Sequence, residues 1–293
     1  MEIIRTVSWM KQVAQQSRAE NHVIGLVPTM GALHDGHLSL VRRARAECSK
    51  VFASIFVNPT QFAPNEDLSK YPRRFESDVA KLEEAGVDVL FAPDPEVIYP
   101  PGFGTYVTVE GLSERLEGKS RPGHFRGVAT VVLKLFEIVQ PHFAFLGRKD
   151  AQQARILQRM SQDLNLDVEL QICPIVREPD GLALSSRNAY LDADERRAST
   201  VLYLALQAAC REIANGIRDA ITLQSTARDV LAAEKRARVD YVEVVDANSF
   251  EPVARIGSHP TYILLAVFIG KTRLIDNALL QSPADSGGLI CSL

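Results

Sequence analysis

The sequence predicts an α/β fold, a Rossmann-like doubly wound parallel sheet followed by a smaller C-terminal α+β domain. Two observations predict it. Short β-branched runs alternate with amphipathic segments as far as about Val176, and after Asn188 the order changes to helices followed by clustered strands. Val23–Val27 and Val51–Val57 read as buried strands, because each apolar run is closed by Pro and other turn residues. Between them, His37–Glu47 brings Leu38, Val41 and Ala44 onto one helical face, with Arg42, Arg43 and Arg45 towards the end where a helix dipole favours cations. A charged helix over Glu76–Ala85, stopped by Gly86, and a strand at Val87–Phe91 repeat the alternation. After a Pro-rich loop, Gly127–Gln140 sets Val128, Val131, Val132, Leu135, Phe136 and Val139 at helical spacing along one stripe. A strand at His142–Leu146, a helix at Ala151–Leu164 and a strand at Val168–Ile172 complete the first part.

Two largely helical segments, Ala193–Ala214 and Asp219–Lys235, then precede strands at Val239–Asp246, Tyr262–Phe268 and Arg273–Ala278. The expected division is 1–187 and 188–293, with the boundary near Arg187–Leu191 and a poorly ordered tail at Gln281–Leu293.

The 293 residues, 46% hydrophobic and 24% charged, are of ordinary globular composition and suffice for one large domain or two unequal ones. A net charge of -3 gives no general attraction to nucleic acid or anionic membrane, so any anion site is local. The four cysteines, Cys48, Cys173, Cys210 and Cys291, are scattered without a CxxC pair; neither a zinc knuckle nor a disulfide framework is expected, and a reducing cytoplasm fits. Met1–Thr6 has no basic segment leading into an apolar run, and no stretch approaches the roughly 20 apolar residues of a membrane span, so neither secretion nor insertion is expected.

Chemistry concentrates in the turns that follow strands. Pro28–His37 joins the first of these strands to its helix, where the crevice beyond the sheet's carboxyl end and helix amides suit phosphate. Gly31 and Gly36 allow close backbone approach, and His34 and His37 suit phosphate oxygens; equally, the two histidines could satisfy turn and cap groups. Phe145–Asp150 is a second such turn, in which Gly147 admits a nucleotide and Lys149 neutralises phosphate charge. Asp180–Asn188 offers Ser185, Ser186 and Arg187 on a glycine-hinged loop suited to closing over a ligand, although turn hydrogen bonding accounts for the serines as well. Asn58, Gln61 and Gln153 supply amides that fix hydroxyl and carboxylate groups without adding charge, unless they only cap helices and turns. Lys119–Gly127 is a local basic patch fit for an anionic ligand or a solvated loop. There is no Gly-x-Ser-x-Gly elbow and no Walker A spacing, and the two histidines lack nearby partners for zinc.

The ordered motifs PTMGALHDGH, FVNPTQF, RPGHFRGVATVV, FLGRKDAQQ and REPDGLALSSRN closely resemble the pantothenate synthetase family, nucleotidylyltransferases with a HIGH-type signature; TRLIDN at Thr272–Asn277 resembles its C-terminal domain. The resemblance implies an ATP-dependent ligase that adenylates pantoate and joins it to β-alanine, with Mg²⁺ and a homodimeric assembly. It implies catalytic roles for His34, His37, Lys149 and Arg187. ATP would be bound by Met30, Gly31, Ala32, Leu33, His34, Asp35, Gly36 and His37, by Gly147, Arg148, Lys149 and Asp150, by Val176 through its backbone, and by Leu184, Ser185, Ser186 and Arg187, the counterpart of the KMSKS segment. Pantoate and β-alanine would be held by Gln61, Gln153, Asn58, His124 and Arg121, and Asp78 would contact magnesium. Arg148 stands where many relatives have Glu and Ala151 where an aromatic is common, but neither replaces Lys149, Asp150 or Gln153. Two other readings stay open: a nucleotidylyltransferase acting on a phosphate, and a noncatalytic nucleotide or RNA binder built on the same fold.

Overall fold

The computed structural model describes residues 1–63, 66, 68–281 and 289–293, in two units: Met1–Arg148 with Gln152–Pro174, and Lys149–Ala151 with Ile175–Leu293. The segment Ile175–Arg187, expected in the first domain, belongs to the second unit. Hydrogen bonds explain this. Arg177 and Ala183 form a bridge in a short hairpin, and the Arg177 guanidinium is anchored to Asp276 in the same unit.

The first unit contains β1 (Glu2–Ile4), α1 (Val7–Ala19), β2 (Ile24–Thr29), α2 (Asp35–Glu47), β3 (Lys50–Ile55), α3 (Phe75–Glu84), β4 (Val89–Phe91), α4 (Pro95–Ile98), α5 (Glu117–Ser120), α6 (His124–Val139), β5 (Phe143–Gly147), all but the first residue of α7 (Ala151–Asp163) and β6 (Glu169–Cys173). Its sheet runs β1-β4-β3-β2-β5-β6 with every pair parallel. The chain therefore winds outward from β2 in one direction and resumes on its other side at β5, which makes the β2/β5 junction the topological switch point. Val27, Val51, Ala53, Leu90 and Phe145 share one buried cluster with Leu40, Val41 and Ala44 of α2 and Leu82 of α3. The alternate residues Leu26, Phe52 and Phe91 are equally buried and point to the opposite face, where α6 touches β2 and packs on α1. Burial on both faces is why these strands read as continuous apolar runs.

β1 and α1 were not expected. The helix buries only Met10, Ala14 and Ser17, a stripe too thin and polar to stand out, and Trp9 stays on its exposed side, donating to Glu2 at 2.7 Å. α2 begins two residues earlier than expected because His34 caps it, and α6 begins three residues earlier, after Gly123 in a left-handed conformation.

The second unit contains α8 (Ala193–Ala198), α9 (Val201–Ala214), α10 (Ala220–Ala232), β7 (Ala237–Asp246), β8 (Thr261–Ile269), β9 (Thr272–Gln281) and β10 (Ile290–Ser292). Its antiparallel sheet runs β10-β9-β8-β7, and the inner faces of β8 and β9 bury Ile263, Leu265, Val267, Leu274, Ala278 and Leu280 against α9 and α10. Two expectations fail here. The end of the tail is an ordered strand, Ile290–Ser292 pairing with Gln281–Leu279, whereas 282–288 lie outside the described residues. Cys210 and Cys291 are joined in a disulfide. The bond was illegible because its cysteines are separated by 81 residues and become neighbours only once β10 pairs with β9 and α9 packs on β9. Cysteine spacing thus says nothing here about compartment. Among the described residues no helix is long and apolar enough to cross a membrane.

Candidate active site

The loop after β2 is held rigid by its own neighbours. Thr29 donates its hydroxyl to Ser54 O at 2.6 Å and accepts the amide of Gly31 at 3.2 Å. Asp78 of α3, 1% exposed, accepts the amides of Ala32 at 2.7 Å and Leu33 at 2.9 Å, and Lys81 caps Leu33 O at 2.7 Å. Gly31 has φ +79°, and a side chain there would press on Asp78, so only glycine fits this bend. Ala32 follows at φ +50°, a conformation that costs a non-glycine residue about 1–3 kcal/mol and persists because its flanks are tied down.

This geometry alters the expected picture of phosphate recognition. The amides of residues 31 to 33 point into the protein, so the histidines are left as the loop's principal polar side chains. His34 Nδ1 accepts the amide of Gly36 at 3.2 Å, and His37 Nδ1 accepts the amide of His34 at 3.4 Å, a capping box with the rings 4.1 Å apart. The capping alternative is thus correct and compatible with a ligand role. A neutral ring that accepts at Nδ1 carries its proton on Nε2, the atom suited to donate to a phosphate oxygen.

A second cluster follows β3. Asn58, 1% exposed, donates to Gln61 Oε1 and Gly127 O, both at 3.1 Å, and accepts from Thr60 and from Tyr99 at 2.8 Å. Its amide is engaged at both ends, and one of those bonds holds Gln61, whose own side-chain nitrogen meets Met30 Sδ at 2.8 Å. A Cβ on Gly127 would sit 2.4 Å from Thr60 O, which is why α6 needs glycine where it crosses this turn. Tyr99, from the Pro-rich segment, carried no sequence signal for this contact.

His124 and Arg121 do not form a free basic patch. Arg121 makes a two-pronged bond to Glu66, at 2.6 and 2.9 Å, and donates to His124 Nε2 at 3.0 Å. Arginine only donates, so His124 carries its proton on Nδ1 and gives it to Gln61 O at 2.9 Å. Burial and the Arg121 charge push the His124 pKa down to about 4. His124 is therefore a neutral prop under Gln61. Its folded pKa lies below the ordinary 6.5, so the unfolded chain takes up the proton first and stability falls as pH drops from 6.5 towards 4. The loss should approach about 3 kcal/mol by pH 4. Urea melts of the wild type and His124→Asn at pH 7 and pH 4 check this: the variant should lack that share of the pH dependence.

In the second unit, Leu184 N donates to Val176 O at 3.0 Å and Glu178 N to Leu182 O at 2.8 Å, closing the hairpin that leads into Ser185–Arg187. Gly181, at φ +93°, forms its tip beneath the Tyr203 ring. Ser185 caps the next turn, accepting the Arg187 amide at 3.3 Å, so the turn-capping alternative holds for this serine. Lys149 is 20% exposed, with its ammonium 3.7 Å from Asp150. In the first unit, a Cβ on Gly147 would meet no atom within 4 Å, which leaves space beside that strand end. Gln153 is half-buried in α7; its neighbour Gln152 is the structural glutamine, buried and bonded to Glu117 N, Leu112 O and Arg115 O.

The comparisons agree with one another. The family model for pantoate-beta-alanine ligase matches residues 2–279. A pantothenate synthetase of Thermotoga neapolitana is 54% identical over 280 residues, 96% of this chain and 100% of that one. One from Koribacter versatilis is 51% identical, covering 98% and 99%. The crystal structure of pantothenate synthetase from Thermus thermophilus superposes with a TM-score of 0.89 at 45% identity, over 94% of this chain and 98% of that one. A pantoate-beta-alanine ligase from Francisella tularensis, complexed with beta-gamma ATP and beta-alanine, gives 0.78 at 36% identity, over 94% and 97%. With a match that runs through both units, the chain belongs to the pantoate–β-alanine ligase family.

Proposed function

We propose that this chain condenses pantoate with β-alanine through a pantoyl-adenylate. The pantoate carboxylate attacks the α-phosphorus of ATP in line and pyrophosphate leaves. The β-alanine amine then attacks the activated carbonyl, forms the amide and expels AMP. No protein nucleophile is needed, so catalysis rests on positioning and on stabilising charge as it develops. The observation that carries this reading is the His34/His37 pair, each ring fixed through Nδ1, on the braced loop at the switch point of the sheet.

The roles follow from chemistry. His34 and His37 donate from Nε2 to phosphate oxygens, while Lys149 and Arg187 neutralise charge on the departing pyrophosphate. Gln61, aimed by Asn58 and His124, binds pantoate together with Gln153. Val176 offers its backbone to adenine. Magnesium enters with the nucleotide as part of the substrate: among the described residues no group of three or more His, Cys, Asp or Glu side chains could hold a metal, and both Asp78 oxygens already accept amides. Asp78 is thus read as the loop's anchor in place of a metal contact. A homodimer and a cytoplasmic setting belong to the same reading and rest on the family resemblance.

Gln61→Ala should raise the Kd for pantoate by roughly 10-fold or more, about 1.5 kcal/mol for a lost buried hydrogen bond, with ATP affinity little changed. Calorimetric titration with each ligand separates the two, and unchanged pantoate affinity would remove Gln61 from the pocket. The intermediate is tested with pantoate carrying ¹⁸O in its carboxylate. Attack at the α-phosphorus sends one labelled oxygen into AMP; label in inorganic phosphate instead would indicate an acyl phosphate and overturn the reading.

A further inference from the structure

The Thr272–Asn277 motif on β9 ends in two buried polar residues, Asp276 at 3% and Asn277 at 1% exposure. They are adjacent on one strand, so their side chains leave opposite faces of the sheet. Asp276 shares its face with Leu274, Ala278 and Leu280, all within the core cluster, where strand periodicity calls for an apolar residue. It holds the Arg177 guanidinium by both prongs, at 2.6 and 2.9 Å, and Arg177 also donates to Gly181 O at 3.0 Å. That pair braces the hairpin from which Ser185–Arg187 continues. A buried ion pair is commonly no more stabilising than well-packed apolar residues of the same volume, so stability is a poor reason for placing one here. On the other face, Asn277 donates Nδ2 to the main-chain oxygen of Lys149 at 3.1 Å, and its main-chain N–H donates to Asp276 Oδ1 at 2.8 Å. At Asp276 and Asn277, β9 is paired with Leu265 and Leu264 of β8, and β10 joins it further along at Leu279–Gln281.

We propose that Asp276 and Asn277 are positioning residues for adenylation, one strand setting both the Lys149 turn and the hairpin that carries Ser185–Arg187. The inference rests on the reading of Lys149 and Arg187 as the cations that meet ATP. A lysine ends a flexible four-carbon stem, and fixing its main chain limits where the ammonium can go. Misplacement by about 1 Å can cost a reaction roughly 100-fold.

The test is steady-state pantoate-dependent ATP:pyrophosphate exchange by the full-length protein, with near-UV circular dichroism to set the folded concentration. Asn277→Ala removes the donor; Asn277→Asp keeps the volume and puts an acceptor opposite Lys149 O. Each should lower kcat roughly 10- to 100-fold with KM for pantoate within about twofold. Lys149→Ala/Asn277→Ala should be no slower than Lys149→Ala alone, because the second change acts only through the first. A merely structural role gives a different pattern: normal kcat per folded molecule, lower melting temperature and effects that multiply in the double variant. That pattern overturns the proposal and leaves the functional reading standing. Absence of exchange in the wild type overturns both.

Discussion

Lys149→Ala is expected to slow pantoate-dependent ATP:pyrophosphate exchange by roughly 100- to 1,000-fold, about 3–4 kcal/mol of barrier, the loss typical when one preorganised donor to developing charge is deleted. Lys149 sits in a short turn with a fifth of its side chain exposed, and its nearest charged partner, Asp150, is 3.7 Å away. So weak an ion pair contributes little to folding, and the variant should melt close to the wild type. The reaction gathers negative charge on the leaving pyrophosphate, and a positioned ammonium acts there in the transition state more than in the ground state. The signature is a fall in kcat with a smaller change in the KM for ATP. Exchange within about threefold of wild type would remove Lys149 from the mechanism.

The second large effect belongs to a residue that need not touch substrate. Asp78→Ala removes the acceptor of two amides in the loop that presents His34, and hydrogen bonds to a buried carboxylate are worth about 1.5–3 kcal/mol each. A loss of about 3–5 kcal/mol of stability is expected, together with a sharp drop in exchange, since the strained Ala32 conformation then loses its brace. Asp78→Asn preserves volume but turns an NH₂ towards an amide, so it should be nearly as harmful. Urea unfolding at pH 7 and exchange kinetics on both variants check this. A direct metal role for Asp78 would instead be marked by normal stability with a raised requirement for magnesium.

The two assignments show what the sequence could and could not reveal. His34, His37 and Lys149 follow strands in short turns, a position legible from the strand pattern, whereas the roles proposed for them come from the family resemblance. Asp78, Asn277 and Glu66 act through partners 45 to 128 residues away, and nothing local in a charged helix, a late strand or a loop announces such a partner. The fold divides in the same way. Apolar stripes as strong as that of α6 reveal themselves, whereas α1, with three small or flexible residues buried, does not. The break between α8 and α9 at Ser199–Thr200 carries no proline or glycine, so one helix was expected where two occur. Asp192 and Glu195 do form a capping box that marks the first of them. Cys210 and Cys291 meet only through tertiary packing.

The most direct test of the function is to incubate the purified protein with MgATP and pantoate, with and without β-alanine, and to measure AMP, pyrophosphate and pantothenate together. The mechanism predicts pantoate-dependent pyrophosphate exchange without β-alanine, and pantothenate with an equal amount of AMP once β-alanine is added. Exchange that ignores pantoate, or ATP binding with no AMP formed under either condition, would contradict it.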